Sequence, residues 1–547
     1  MAGLKQERQR HRPALLLFLL LALPITVLIW RYQFDGLYGQ DAYAYYGYAS
    51  GPLRHSLLAF DALPPFYWPP GFPLLVALTS LVTGITPLAG QIVSLVSGGL
   101  VVVFTGLLAL EFCEDARNPI SLRNRISGTV PLAALIVALT PQLWQSSAVV
   151  MPDTTALASA TLGVWALARY GRVGRGRWLA LASGAVSFAV LTRLAYAPLA
   201  LPCTLFALWV LARRPRAERV LHGAAGIVVA LVVLSPLLVS LVQTSDFLEK
   251  SDVSNDAPFL GNLGDVPWDV HHALQREFVT PSGRQQYALA NGVYYALTPA
   301  HGYYFTPLLV PFLPIGLWRL GKRRRPAEVL LLVGWPAVIY LSLVGYPFQN
   351  FRFTLGFLPP LAIIVAGGIQ GVASNWREFS RIFPRKTMPA IRANSRKFGA
   401  IILVYLPLAG AFLWMAYGGW TLSERFMVRK QGEVATVRWV EEQVEPGAQL
   451  YTFAITLAFE QYSELEVHDL YGLDPAQIAV LLEDGESGAS SAAYLLVDVP
   501  NVDTQWAQHA PGRNYRWLDE KVGLMRRGQH RRYTLFRIEQ DSDHGPP

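Results

Sequence analysis

Long uncharged apolar runs alternate with short, mostly basic segments over the first three-quarters of the chain, and after about residue 419 that alternation stops. A bilayer core takes about 20 apolar residues per helix, and a backbone exposed to lipid must satisfy its own hydrogen bonds, so each long run reads as a spanning helix. Eleven runs qualify, at approximately 13–30, 90–110, 129–148, 154–169, 178–192, 194–212, 220–242, 305–319, 329–344, 353–373 and 399–418. Beyond them the pattern mixes helix-like stretches (Glu433–Val444, Asp474–Glu483) with strand-like ones (Gln449–Ala454, Ala493–Val499, Arg532–Ile538), which predicts a small α/β domain.

Charge settles how the runs are threaded. The segment Gly71–Thr86 is apolar enough to be a twelfth span. With it laid in the interface, the basic clusters at 5–12, 117–125, 169–177, 213–219, 319–325 and 377–397 fall on one side and carry 27 Lys or Arg. The opposite loops then hold only Arg31, Arg54, Arg193, Lys250, Arg276, Arg284 and Arg352. That asymmetry is the positive-inside pattern, so Gly71–Thr86 is read as juxtamembrane and the N-terminus as cytoplasmic. The apolar run after the basic N-terminus is followed by no small-residue cleavage site and reads as an anchor rather than a signal peptide. The predicted organisation is a transmembrane body over 1–420 and an extracytoplasmic α/β domain over 421–547. The body carries a first outer loop with juxtamembrane helices (31–89) and a large outer loop (243–304).

Composition narrows the class. With 52% hydrophobic and 15% charged residues, a purely soluble protein is excluded. The net charge of +8 is topological, so it does not point to nucleic acid. Cys113 and Cys203 fall in or beside apolar runs and supply neither a disulfide framework nor metal-site spacing. No phosphate loop or glycine fingerprint is present, so no nucleotide cofactor is expected.

Ionisable groups at membrane depth are costly and are therefore candidates for function. In FDGLYGQDAYAYYGYA, Asp35 and Asp41 follow the first span, and Asp41, Tyr45 and Tyr48 share one helical face. A carboxylate there serves as a general base, as a cation ligand, or simply as the cap of an interfacial helix. Asp153 in MPDTTALASA opens a spanning helix, where capping competes with catalysis. Arg193 in LTRLAYAPL is an isolated outer arginine, read equally as a snorkelling side chain or as a site for an anion such as phosphate. His301, Tyr303, Tyr304 and Arg352 lie at outer helix ends in HGYYFTPLL and YPFQNFRFTLGFLPP, and Tyr67 and Trp68 sit in PPFYWPPGFP.

The order of these elements resembles the GT-C superfamily of polyprenyl-phosphate-sugar-dependent glycosyltransferases, in particular the branch of protein O-mannosyltransferases and lipid A aminoarabinose transferases. QDAYAYYGYA, WPPGFPLLVAL, MPDTTALA, LTRLAYAPL and FRFTLGFLPP carry the resemblance, over roughly residues 13–420. It implies a GT-C-like polytopic helical membrane protein in a bacterial-type cytoplasmic membrane. The donor would be a polyprenyl-phosphate sugar and the acceptor a protein, lipid or glycan.

By position, Asp41 would activate the acceptor and Asp153 would be the second acid, and the two together are candidate ligands for a divalent cation (Mg, Mn or Zn). Arg193 and Arg352 would neutralise the departing phosphate, with Tyr45, His301 and Tyr304 as further binding residues. Trp68 stands where many relatives have lysine, which shifts weight to Arg193, Arg54 or His55. Asp35 and Asp41 can exchange roles. Two other classes compete. A transporter or flippase for a lipid-linked glycan would favour mid-membrane charges and repeats, and a glycan polymerase or ligase would favour a basic pair in a long late loop.

Overall fold

The computed structural model describes residues 2–113, 128–248, 268–280, 283–322, 326–382, 406–487 and 492–539. The expected cytoplasmic cluster at 117–125, residues 323–325 of that at 319–325 and most of that at 377–397, the start of the 399–418 span, and residues 249–267 and 281–282 of the 243–304 loop lie outside them.

The described chain is mostly helical, with a small C-terminal sheet. Among the described residues, four helices are long and apolar enough to cross a bilayer unaided: Leu88–Phe112, Leu194–Leu211, Arg216–Val239 and Phe351–Ala373. Shorter apolar helices include Leu16–Tyr32, Thr129–Ala138, Gly176–Thr192 and Val329–Val344. Leu221, Val228, Val232 and Val239 on the Arg216–Leu248 helix point away from the protein, an apolar face that lipid would cover. The helix Gly71–Thr83 has 13 residues and so is about 20 Å long, too short to cross by itself.

Proline explains where the observed helices depart from the expected runs. The 129–148 run breaks at Thr140, because Pro141 starts a second helix, Pro141–Ala148. The 305–319 run is likewise two pieces, Thr306–Leu309 and Phe312–Lys322, with Pro311 between them. By contrast, Leu406–Glu441 is one 36-residue helix, about 54 Å long, which runs unbroken through residue 420 and into the C-terminal domain.

That domain holds a five-stranded sheet in the order β4-β3-β5-β7-β6, formed by β3 (Gln449–Thr452), β4 (Glu466–Asp469), β5 (Ala493–Val497), β6 (Leu524–His530) and β7 (Tyr533–Ile538). β3 pairs in parallel with β4 and β5, across the helices Thr456–Tyr462 and Pro475–Ser487, while β7 is antiparallel to β5 and β6. Side chains alternate between the two faces. Leu450, Tyr494, Leu496 and Leu535 join Val437 and Val440 of the long helix in a core continuous with the membrane body. Tyr451, Leu495 and Val497 form a second core with Ile478, Leu482 and Leu518. In the 243–304 loop a hairpin pairs β1 (Glu277–Thr280) with β2 (Gly283–Gln286).

Candidate active site

The loop after the first helix is clamped from two sides. Gln91 Nε2 donates to the Phe34 carbonyl at 2.8 Å, and Val150 N donates to the Gly36 carbonyl at 2.9 Å. Gly36 has φ +87°, and a Cβ there would stand 2.4 Å from Gln91 Cγ, so only glycine fits this crossing. Asp35 accepts from Leu37 N at 3.0 Å, turning the chain into the helix Gly39–Tyr48, whose first turn carries Asp41. Tyr45, one turn on, is buried against Trp68 (ring centroids 4.8 Å apart) and Phe72, and Tyr48 stacks on Phe66 and donates to the Pro64 carbonyl. Burial holds the Tyr45 hydroxyl above its usual pKa, so it stays protonated.

Asp153 is set by the tight turn 149–152. Thr154 Oγ1 donates to the Ser94 carbonyl and the Thr155 hydroxyl lies 3.0 Å from that of Ser97, tying the helix start to the 88–113 helix. Asp153 is the first residue of the helix Asp153–Val173, with Pro152 in the capping position before it. It is 2% exposed and lies between two guanidinium groups, paired with Arg193 through Oδ1 and with Arg352 Nε at 3.7 Å from Oδ2. Arg352 also donates through Nη2 to Asp41 Oδ2 at 3.0 Å. The four side chains thus form one alternating row, Asp41–Arg352–Asp153–Arg193, of net charge zero. Both arginines lie near the Phe353 ring, with Cζ at 5.0 Å for Arg193 and 5.5 Å for Arg352.

This row borders a cleft of about 460 Å³ lined by Asp41, Asp153, Arg352, Tyr38, Arg429 and Tyr303, among others. Asp41 is the open acid, its side chain 41% exposed. Arg193, 15% exposed, stands behind Asp153 and is not on the cleft wall. Arg429 is a cation that sequence reasoning missed. It lies on the long helix beyond the membrane run, in a stretch that reads as an ordinary polar helix. Asn350 and Gln145 line the same cleft and were missed for the same reason: nothing in a short polar motif says which way it faces.

The remaining expected binding residues fall elsewhere. Tyr304 is buried, donates to the Phe351 carbonyl at 2.5 Å and lies 2.7 Å from the Thr354 hydroxyl. With Tyr295, which donates to the Phe348 carbonyl at 2.7 Å, it pins the turn that presents Arg352. His301 stacks on Phe351 at 4.2 Å, and burial lowers its pKa. Arg54 and His55, on the helix Arg54–Ala59, do not line the cleft, and neither does Tyr45 or His301.

A divalent cation shared by Asp41 and Asp153 does not fit this arrangement. Arg352 occupies the space between the two carboxylates, and among the described residues no three His, Cys, Asp or Glu side chains converge.

At the opposite end of the Asp153–Val173 helix, about 30 Å away, buried Glu111 pairs with Arg169 (3.1 Å) and Arg172 (2.7 Å). Charge is therefore confined to the two ends of this span.

Known proteins with this architecture give the cleft a context. Residues 123–239, about a fifth of the chain, match the family described as dolichyl-phosphate-mannose-protein mannosyltransferase. Two solved structures of ArnT from Cupriavidus metallidurans share the fold along nearly the whole length. The apo form has TM-score 0.58 and 15% identity, covering 96% of this chain and 97% of that one. The form bound to undecaprenyl phosphate has TM-score 0.56 and 16% identity, covering 97% and 99%. No curated protein sequence matches the chain. The expected resemblance is therefore supported over residues 123–239 by the family match and along the chain by the fold shared with the two ArnT structures, which at these identities establish the fold alone.

Proposed function

We propose that the protein is an integral membrane glycosyltransferase that moves a sugar from a polyprenyl-phosphate donor to an acceptor hydroxyl or amine on the outer face of the membrane. The observation that carries this reading is the row Asp41–Arg352–Asp153–Arg193 along one cleft at one end of a lipid-exposed helical bundle. The undecaprenyl phosphate bound to the structurally similar ArnT supports a donor of that class, and the mannosyltransferase family match supports group transfer from a lipid phosphate.

The roles follow from exposure. Asp41, open to the cleft, takes the proton from the attacking hydroxyl or amine as the new bond to the anomeric carbon forms. The bond from that carbon to the phosphate oxygen breaks with its electron pair going to oxygen, and polyprenyl phosphate leaves as an anion. Arg352 and Arg429, both on the cleft wall, meet that developing charge. Asp153 and Arg193 act behind them: Asp153 holds Arg352 in place, and Arg193 prevents a lone buried carboxylate. No step needs a metal ion or a nucleotide.

Confinement of charge to the two ends of the Asp153–Val173 helix supports an enzyme over a flippase, which would carry charged groups at mid-depth. The proposed setting is a bacterial-type cytoplasmic membrane, with the N-terminus cytoplasmic and the C-terminal domain outside. The test is Asp41→Asn: transfer is abolished while expression and membrane insertion are unchanged, and retained transfer removes Asp41 from the proton-accepting role.

A further inference from the structure

One group of buried ionisable side chains takes no part in the chemistry above. Lys430, on the Leu406–Glu441 helix and well beyond its apolar part, is 4% exposed. Its ammonium donates to the hydroxyls of Tyr43 and, at 2.9 Å, Tyr462, and lies 4.4 Å from the centre of each ring. Tyr462 ends the helix Thr456–Tyr462 of the C-terminal domain, and its hydroxyl donates to Asp35 Oδ2. Asp35 in turn accepts from Leu37 N through its other oxygen, shaping the turn that enters the Asp41 helix, and Tyr43 lies on that helix two residues past Asp41.

Three separate segments are therefore joined by a lysine, two tyrosines and a carboxylate. The long helix also reaches the Asp41 segment at the catalytic cleft, through Phe426 and Arg429, whereas Lys430 meets it away from that cleft. There Lys430 and Asp35 line a second cleft of about 490 Å³.

Burying a lysine that holds nothing is costly, since the ammonium loses its hydration. Burial lowers the Lys430 pKa to about 8, opposed by the nearby charges of Asp35 and Glu433. The chain keeps this charge where a methionine or leucine would pack, and what the charge gains is a fixed geometry for the segment presenting Asp41.

We infer that Lys430, with Tyr462 and Asp35, is a positioning device through which the C-terminal domain fixes the orientation of the Asp41 helix. Asp35 is thereby assigned a structural part and Asp41 the chemical one. This inference rests on the proposed role of Asp41. Held groups lose about 100-fold in rate when they are misplaced by about 1 Å, so the device acts on turnover more than on binding.

The test compares full-length wild type with Tyr462→Phe, Lys430→Met and Lys430→Arg. Two readouts are used: amide hydrogen exchange of the peptide spanning residues 33–48, and the kcat and donor KM of sugar transfer. The expected result is faster exchange in that peptide for Tyr462→Phe and Lys430→Met, with kcat down about 10–100-fold and donor KM within about twofold. Lys430→Arg, which keeps the charge, restores part of both. Unchanged exchange in residues 33–48, or a rate loss no larger than the loss of folded protein, overturns the inference. Tyr462→Phe removes a single hydroxyl and serves if Lys430→Met does not fold. Asp41→Asn run in parallel separates the two ideas: if it stays active, the catalytic reading fails, while the exchange result still decides the coupling.

Discussion

Replacing Asp153 with asparagine separates two accounts of the same residue by magnitude. A carboxylate at a helix start that interacts only with the helix dipole contributes about 0.3–1 kcal/mol. A buried carboxylate paired with cations is worth far more to leave intact, because removing it strands charge out of water, at about 3–5 kcal/mol. Asp153 is 2% exposed, lies one place past the cap position and faces Arg193 and Arg352, so the second figure applies. Asp153→Asn should therefore lower the unfolding free energy by about 3–5 kcal/mol, measured by denaturant unfolding in detergent. Most of that loss is the unpaired Arg193, so adding Arg193→Met should recover part of it, with a coupling of about 1–3 kcal/mol in the double-mutant cycle. A loss below about 1 kcal/mol, with the two substitutions strictly additive, would refute the buried-row argument and return Asp153 to a capping role.

Arg352→Gln should reduce kcat/KM about 10–100-fold, the cost of losing one charged hydrogen bond to the leaving phosphate, as read from donor-dependence curves. Arg352→Lys should rescue little, because an ammonium cannot bridge Asp41 and Asp153 as the planar fork does. Gly36→Ala should destabilise the protein by about 1–3 kcal/mol in the same unfolding assay, since it forces a side chain into a left-handed backbone already in contact with Gln91. Lys430 has a folded pKa of about 8 against 10.5 for a free lysine, so between those values the unfolded chain binds more protons and stability rises with pH. Wild type should gain stability relative to Lys430→Met from pH 8 to 10, by at most about 1.4 kcal/mol per unit, and parallel curves would contradict the burial of that charge.

The helical body was legible because lipid exposure demands long uncharged runs, and the site acids were legible because Asp41 and Asp153 stand out against them. The breaks at Thr140 and Val310 were less so, although Pro141 and Pro311 carry the signal in each case. In the C-terminal domain, strands β3, β5 and β7 sit where the apolar pattern puts them. β4 and β6 were not foreseen, because they are the sheet's two edges and their sequences, EVHD and LMRRGQH, are polar as edge strands tend to be. The partners of each site residue were the least legible. That Arg193 neutralises Asp153 from behind, that Arg352 serves two carboxylates and that Lys430 reaches Tyr462 all depend on contacts between segments far apart in the chain. No local pattern encodes such contacts. Asp35 and Asp41, six residues apart and both acids beside tyrosines, are parted by the turn at Gly36, which leaves Asp35 against Tyr462 and Asp41 against Arg352.

The most direct measurement is to incubate the purified protein with a panel of polyprenyl-phosphate sugars and acceptors and to follow released polyprenyl phosphate by mass spectrometry. At least one donor should yield it with wild type and none with Asp41→Asn. Release that is equal in the two proteins, or absent with every donor while the protein remains folded, would contradict the assignment of this cleft to sugar transfer.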